Sequence, residues 1–273
     1  MGDETSATIS IETLYGRKLR VARWRLDKPH QHPPLLFFNG IGANIELIAP
    51  LAEELVERPF LMFDMPGTGG SPNPVVPYNA ATMCLAAGEL LEREGIAQVD
   101  VMGVSWGGAM AQHFAFQHTA KVRRLVLAAT TAGMIMVPGK LSALSKMVNP
   151  RRYVDAAFME KHFATLYGGA THNKAGHIGR ISPPSRRGYL YQLMAVMGWT
   201  SAPLLPLLRK PTLIMMGDDD PIVPAINGRL LAKLIPNSRV ETFQGGGHLF
   251  MLSHREQTLK ALRAFLDEKA PAN

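Results

Sequence analysis

Short, almost wholly apolar runs recur along the chain, each bounded by glycine, proline or polar residues. Such runs suit strands that are buried on both faces, as in a parallel sheet. Two earlier segments, residues 8–13 and 18–24, alternate apolar with polar positions and predict an antiparallel hairpin around Tyr15-Gly16. The predicted buried strands are residues 35–38, 60–63, 99–104, 125–129, 212–216 and 239–243.

Helix-length segments lie between the predicted strands. The alternation of strand and helix indicates βαβ units, so the predicted fold class is α/β, with a mostly parallel twisted sheet and helices on both faces. The predicted helices are residues 45–56, 80–94, 108–118, 225–234 and 255–268.

This alternation stops between residues 134 and 208, where no buried-strand run occurs. Helix-like pieces are interrupted there by Pro138-Gly139, Asn149-Pro150, Gly168-Gly169 and Pro183-Pro184. We therefore expect a core domain of residues 1–133 and 209–273 and a mainly helical cap insertion of residues 134–208. Residues 270–273 are expected to be frayed.

The amino-acid composition limits the class of protein and the cellular compartment that can be expected. A chain of 273 residues that is 47% hydrophobic can bury one large core. Its single cysteine, Cys84, excludes an intramolecular disulfide framework and favours a cytoplasmic protein. Residues 1–16 lack the basic start and apolar run of a secretory signal, and no apolar stretch reaches the ~18 residues of a membrane span.

The net charge of +7 is concentrated in one part of the chain. Residues 131–210 hold eleven Lys and Arg but only two acids, Asp155 and Glu160, so this segment carries +9 and the remainder −2. No zinc-ligand spacing, Walker-type loop or RNP-like aromatic run accompanies the basic residues. A nucleic-acid partner is therefore not expected, and the pattern indicates neither a metal nor an organic cofactor.

The strongest motif is Gly103-Val104-Ser105-Trp106-Gly107, between a predicted buried strand and a predicted helix. A serine on a tight strand-to-helix turn exposes its hydroxyl above the sheet edge, and small neighbours relieve the crowding at that turn. The Gly-x-Ser-x-Gly pattern by itself is common in proteins, but its position between a strand and a helix is the one that a nucleophile elbow requires. We predict Ser105 as a catalytic nucleophile.

A serine nucleophile needs a base, and the base needs an acid that orients it. His248 follows the last predicted strand in Gly245-Gly246-Gly247-His248 and is the predicted base. His254 is its nearest rival, but it lies on the following helix. The remaining histidines, including His172 and His177 in the insertion, are interpreted as surface or packing residues.

The acid should end an earlier strand, and Asp218, Asp219 and Asp220 directly follow residues 212–216. The residues alone leave the choice among the three open. The tetrahedral intermediate also needs backbone donors. Trp106 should supply one N–H, and Ile41, in Asn39-Gly40-Ile41-Gly42, the other.

The motifs and their order, Ser before Asp before His, resemble the α/β-hydrolase superfamily. That resemblance implies the acid three residues after the glycine and before an apolar-Pro pair, which selects Asp220 ahead of Val223-Pro224. A closer resemblance, from about residue 34 to 266, is to the intracellular medium-chain-length poly(3-hydroxyalkanoate) depolymerases. It is carried by residues 38–44, 103–108, 136–140, 150–153, 167–169, 198–201 and 217–221.

The resemblance implies a bacterial cytoplasmic enzyme that acts at storage granules and cleaves polyester ester bonds through an acyl-enzyme, releasing 3-hydroxy acids or oligomers. Two parts of the insertion, residues 172–177 and Pro183-Pro184, depart from the family pattern, so the substrate range could differ. Asn39, Gly40, Met134 and Trp199 are expected to contact substrate. About half of the insertion's large apolar side chains should line the site and the rest should pack in the cap: Met134, Met136, Met147, Met159, Met194, Met197, Tyr189, Tyr191 and Trp199.

Two alternatives to the depolymerase remain open at this stage. A general carboxylesterase or a carbon–carbon bond hydrolase of the same fold would use the same three residues. A dehalogenase or an epoxide hydrolase is not favoured, because either would carry an acid in place of Ser105. A ligand-binding receptor of this fold would not need the complete Ser-Asp-His set. The sequence does not determine the oligomeric state.

Overall fold

The computed structural model describes residues 6–147, 149, 151–169 and 174–268. Four parts of the chain that carried sequence-based predictions lie outside the described residues: residues 1–5, Pro150, His172 and residues 270–273. Elsewhere the predicted alternation of strands and helices is confirmed, but residues 239–242, predicted as part of a buried strand, are exposed or half-buried because their strand lies at the edge of the sheet. The strands are β1 (Thr8–Leu14), β2 (Arg17–Trp24), β3 (Leu35–Phe38), β4 (Phe60–Phe63), β5 (Val99–Val104), β6 (Val122–Ala128), β7 (Thr212–Gly217) and β8 (Ser238–Phe243).

These strands form one eight-stranded sheet in the order β1-β2-β4-β3-β5-β6-β7-β8. The first two strands form the predicted hairpin, and β2 continues antiparallel to β4. All neighbouring pairs from β4 to β8 are parallel. The carboxyl ends of the parallel strands therefore meet at one edge of the sheet, where ligand sites of such folds lie.

Helices cover both faces of the sheet and fill the segment between β6 and β7. Alternate residues of a strand point to opposite faces, so Leu36 and Phe38 of β3 join one core cluster and Leu35 and Phe37 join the other. The helices are α1 (Ile45–Glu54), α2 (Ala80–Arg93), α3 (Trp106–Gln117), α4 (Leu141–Met147), α5 (Arg151–Val154), α6 (Ala156–Tyr167), α7 (Lys174–Gly179), α8 (Arg186–Val196), α9 (Ile226–Leu234), α10 (Phe250–Ser253) and α11 (Arg255–Leu266).

The insertion is mainly helical, as predicted. Helices α4 to α8 all lie between β6 and β7, and α6 packs against α4, α5 and α7. An isolated bridge between Gly133 and Thr200 joins the two ends of this segment beside the sheet. Among the described residues, no helix is both long enough and apolar enough to cross a membrane.

Candidate active site

Ser105 lies on a strained turn between β5 and α3. Its φ of 55° and ψ of −122° are unusual for a residue with a side chain, and such strain persists only where the surroundings fix it. Its backbone N–H donates to the carbonyl of Ala128 at 2.9 Å, and its carbonyl accepts from Thr130 Oγ1 at 2.7 Å. The strained backbone is therefore held from β6 and the loop that follows it.

The glycines of the motif are required by close backbone approach. A Cβ on Gly103 would overlap the carbonyl group of Gly107, and a Cβ on Gly107 would overlap the carbonyl oxygen of Phe38. Small residues are needed at both positions for the turn to bring Ser105 above the end of β5. This is the arrangement that the nucleophile-elbow motif predicts.

His248 and Asp220 form a buried pair at the same edge of the sheet. His248 Nδ1 lies 2.6 Å from Asp220 Oδ2, and the two residues are 6% and 5% exposed. The other oxygen, Oδ1, accepts from the backbone N–H groups of Ile222 and Val223 at 2.8 and 2.9 Å. A carboxylate can only accept, so Nδ1 carries the hydrogen and Nε2 of the neutral ring is left as an acceptor.

The two neighbouring aspartates have different surroundings. Asp218 and Asp219 are exposed, and their carboxylates accept from the backbone N–H groups of Gly245 at 2.6 Å and Gly169 at 2.8 Å. The rival base His254 bonds instead to the Gln244 carbonyl at 3.0 Å. Of the three aspartates that the residues alone left open, only Asp220 is paired with His248.

The loop after β3 is fixed by its own asparagine. Asn39 is buried; its Oδ1 accepts from the Gly40 N–H and its Nδ2 donates to the Asn44 carbonyl, both at 2.9 Å. Gly42 adopts a φ of 68°, which favours glycine. Asn39 therefore shapes the loop that presents Ile41 beside Ser105.

Gln192 of α8 connects this loop to the elbow and was not found by sequence reasoning. Its Oε1 accepts from the Gly42 N–H at 2.8 Å, and its backbone carbonyl accepts from the Trp106 indole N–H at 3.2 Å. A glutamine within an insertion helix gives no sign of such a contact in the sequence.

Two cavities meet at Ser105 and share its lining with Ile41, Met147 and Ile222. The first, of about 100 Å³, also contains His248 and is here called the histidine-side cavity. The second, of about 330 Å³, contains Trp199 and is called the tryptophan-side cavity. Most lining side chains of both are apolar.

The residues expected to contact substrate divide between these cavities. Asn39 and Gly40 line the histidine-side cavity, whereas Met134 and Trp199 line the tryptophan-side cavity, as does Trp106, the predicted oxyanion donor. Of the other apolar residues considered, Met136 and Met147 line a cavity, Met159 is in the core, and Met194 and Met197 are exposed. Tyr189 and Tyr191 line neither cavity.

Polar insertion residues that were not predicted as site residues also line the histidine-side cavity. They are Arg152, Tyr167 and His177, and all three are buried. The backbone carbonyl of Tyr167 accepts a hydrogen bond from the backbone N–H of His248 at 2.6 Å. The side-chain rings of the two residues are nearly parallel, with centroids 6.5 Å apart. Burial lowers the pKa of His177 to about 4, and the nearby charge of Arg180 acts in the same direction.

A strained serine after the central strand and a buried Asp-His pair beyond the last two strands are the arrangement of the α/β-hydrolases. The family model of the alpha/beta hydrolase fold matches residues 33–255. The chain belongs to this family.

Individual relatives narrow the comparison. The chain is 42% identical over 250 residues to the poly(3-hydroxyalkanoate) depolymerase of Ectopseudomonas oleovorans, covering 90% of this chain and 88% of that protein. This confirms the resemblance predicted from the motifs. The chain is also 30% identical over 260 residues to a pimeloyl-acyl-carrier-protein methyl ester esterase of Neisseria meningitidis, covering 91% of this chain and 98% of that protein. An esterase from Exiguobacterium antarcticum superimposes with a TM-score of 0.81 at 20% identity, over 96% of this chain and 99% of that chain, which shows the shared fold.

Proposed function

We propose that this protein is a serine ester hydrolase that cleaves medium-chain poly(3-hydroxyalkanoate) to 3-hydroxy acids or short oligomers. The observation that carries this proposal is the 42% identity, over 90% of the chain, to a protein named as a poly(3-hydroxyalkanoate) depolymerase. The apolar cavities on both sides of Ser105 support it, because a polyester has an apolar side chain on each side of every ester bond.

In the proposed mechanism, Ser105 attacks the ester carbonyl while His248 Nε2 accepts its proton. Asp220 holds Nδ1–H and stabilises the protonated ring. The backbone N–H groups of Ile41 and Trp106 would stabilise the oxyanion of the tetrahedral intermediate.

The intermediate then collapses as His248 returns the proton to the leaving alcohol, and Ser105 is left acylated. Water attacks this acyl-enzyme with His248 again acting as base, and the released acid restores the free serine. The reaction needs no reactant other than the ester and water.

We also propose that residues 134–208 form a cap over a core of residues 1–133 and 209–273. Met147, Arg152 and His177 of this segment line the cavity that contains Ser105 and His248, which supports the division. The proposed place of action is the bacterial cytoplasm, at the surface of storage granules.

The test is the clearing of an emulsion of medium-chain poly(3-hydroxyalkanoate), with the released 3-hydroxy acids measured directly. The native enzyme should clear the emulsion, and Ser105→Ala should lose nearly all activity while keeping its fold, because nucleophile and base act as one unit. A Ser105→Ala variant that retained more than a trace of turnover would refute the assignment of the nucleophile.

A second candidate is a carboxylesterase for small esters, which the 30% identity to a methyl ester esterase favours. Turnover of p-nitrophenyl octanoate without clearing of the emulsion would support this function instead. An absence of turnover on both substrates would favour a ligand-binding protein of the same fold.

A further inference from the structure

The two cavities at Ser105 have unequal access to the base. His248 lines the histidine-side cavity and not the tryptophan-side cavity. In ester hydrolysis the protonated base gives its proton to the leaving oxygen, so the alcohol must lie beside it. The leaving alcohol therefore occupies the histidine-side cavity, and the acyl chain occupies the tryptophan-side cavity, which also contains Trp106.

The histidine-side cavity contains a buried cation. Arg152 is 4% exposed, and a guanidinium stays protonated at any pH at which proteins are folded. It donates a hydrogen bond to the Tyr167 side chain, and its guanidinium carbon lies 5.8 Å from the ring centroid of Tyr189. Of the described residues that line this cavity, Arg152 alone carries a permanent charge, and none of these residues is acidic. The cavity therefore favours a ligand group with negative charge.

His177 places a second polar group in the same cavity. Its ring is 8% exposed and contacts the rings of Phe163 and Tyr167 edge-on. Because burial lowers the pKa of His177 to about 4, the ring is neutral near pH 7 and offers one N–H donor. Among the described residues its imidazole has no hydrogen-bond partner, although buried polar groups are almost always paired. A polar group of the ligand would supply that partner.

We propose that Arg152 and His177 form a carboxylate subsite on the leaving-alcohol side of Ser105, so that the enzyme prefers the ester bond next to the free carboxyl end of a 3-hydroxyalkanoate chain. The proposal rests on the proposed depolymerase function. At that bond the leaving alcohol is itself a 3-hydroxy acid, whose carboxylate lies only two carbons from the carbon that bears the leaving oxygen.

This preference would make cleavage sequential. Hydrolysis of the terminal ester consumes one water and releases one 3-hydroxy acid, and the acyl-enzyme is then hydrolysed to a chain with a new free carboxyl end. The shortened chain presents the same end group again, so the enzyme would release monomers from the carboxyl end.

The experiment compares a 3-hydroxyoctanoate dimer that ends in a free carboxylate with the same dimer ending in a primary amide. The amide matches the carboxylate in shape but lacks its charge, and only cleavage of the internal ester is measured. The native enzyme should show at least a tenfold higher kcat/KM on the acid, since hydrogen bonds to a charged group are about twice as strong as neutral ones. In Arg152→Gln the acid-to-amide ratio should approach one, and Arg152→Lys should retain part of it.

Arg151→Gln is the matched control, because Arg151 is exposed, neighbours Arg152 in the chain and does not line the cavity. It should leave the acid-to-amide ratio unchanged. Equal cleavage of acid and amide by the native enzyme would refute the subsite while leaving the depolymerase function intact, and this result does not depend on whether any variant folds. Failure to cleave either dimer by an enzyme that still clears the polymer emulsion would refute the subsite alone. Failure on both the dimers and the emulsion, with p-nitrophenyl octanoate still turned over, would refute the depolymerase function as well.

Discussion

The three adjacent aspartates after β7 differ in what surrounds each carboxylate. Asp220 is buried and paired with His248, whereas Asp218 and Asp219 are exposed and accept from loop backbone groups. An isosteric amide at position 220 can donate to Nδ1 and so stabilise the wrong tautomer of His248. We therefore expect Asp220→Asn to lower kcat on p-nitrophenyl octanoate by about 10⁴-fold.

Asp218→Asn is the matched control, because it makes the same chemical change a few residues away. It should alter kcat by less than about threefold, since the Asp218 carboxylate is exposed and accepts from the Gly245 N–H in a loop away from His248. Circular dichroism and thermal unfolding of both variants would confirm that they fold. A large loss in Asp218→Asn together with a small loss in Asp220→Asn would overturn the assignment.

Single residues were predictable where a motif ties chemistry to a position. Ser105 was predicted because it directly follows a buried strand, and His248 because it lies in the glycine-rich loop after the last strand; parallel strands bring their carboxyl ends to one edge. The sequence did not predict the site positions of Arg152, His177 and Gln192, because these residues come from the insertion, where no sheet fixes the direction of each helix. Which face of such a helix reaches Ser105 depends on tertiary packing that spacing along the chain does not encode.

The elements were predictable to within a few residues, and the errors have physical causes. β6 begins at Val122, three residues before its predicted start at Leu125, because Arg123 and Arg124 interrupt the apolar run. The guanidinium of Arg123 reaches the buried carboxylate of Asp100 on β5 at 2.5 Å. That of Arg124 lies 5.2 Å from the ring centroid of Phe265. Charged residues can thus extend a buried strand where the neighbouring elements supply partners.

Helix α8 contacts the predicted oxyanion loop through Gln192, and this contact connects the proposed cap to the loop that carries Ile41. In Gln192→Leu the Gly42 N–H would lose its buried acceptor, and such a loss costs about 1–3 kcal/mol. The Gln192 Nε2 has no partner among the described residues, so its removal offsets part of that cost in stability. We expect kcat on p-nitrophenyl octanoate to fall about tenfold, with little change in KM or Tm, because the loop that carries Ile41 is less well held.

The control for this prediction is Leu190→Gln, on the same helix but 53% exposed, which should leave kcat unchanged. A loss of Tm without a loss of kcat in Gln192→Leu would show that Gln192 serves only to stabilise the fold.

Across the whole molecule, positive charge and exposed apolar side chains are concentrated on the same segment. Residues 131–210 carry +9 while the rest of the chain carries −2. Ten of the seventeen exposed large hydrophobic side chains in the described part of the chain lie between Met134 and Leu207. Exposed basic residues of this segment include Lys140, Arg186 and Arg187. A surface with both features suits adsorption to an apolar body with a negatively charged coat.

If the cap adsorbs to storage granules in this way, granule binding should depend on both salt and single apolar side chains. Raising salt from 0.1 to 1 M shortens the Debye length from ~10 to ~3 Å and should release most of the enzyme in a sedimentation assay, while turnover of p-nitrophenyl octanoate stays nearly constant. Leu141→Glu, at a cap residue that is 83% exposed, should weaken granule binding about fivefold, since about 1 kcal/mol of apolar contact is lost. Val75→Glu makes the same kind of change at a residue that is 85% exposed outside the cap and should have no effect. Binding that is independent of salt, or that falls equally in both variants, would exclude the cap as the adsorbing surface.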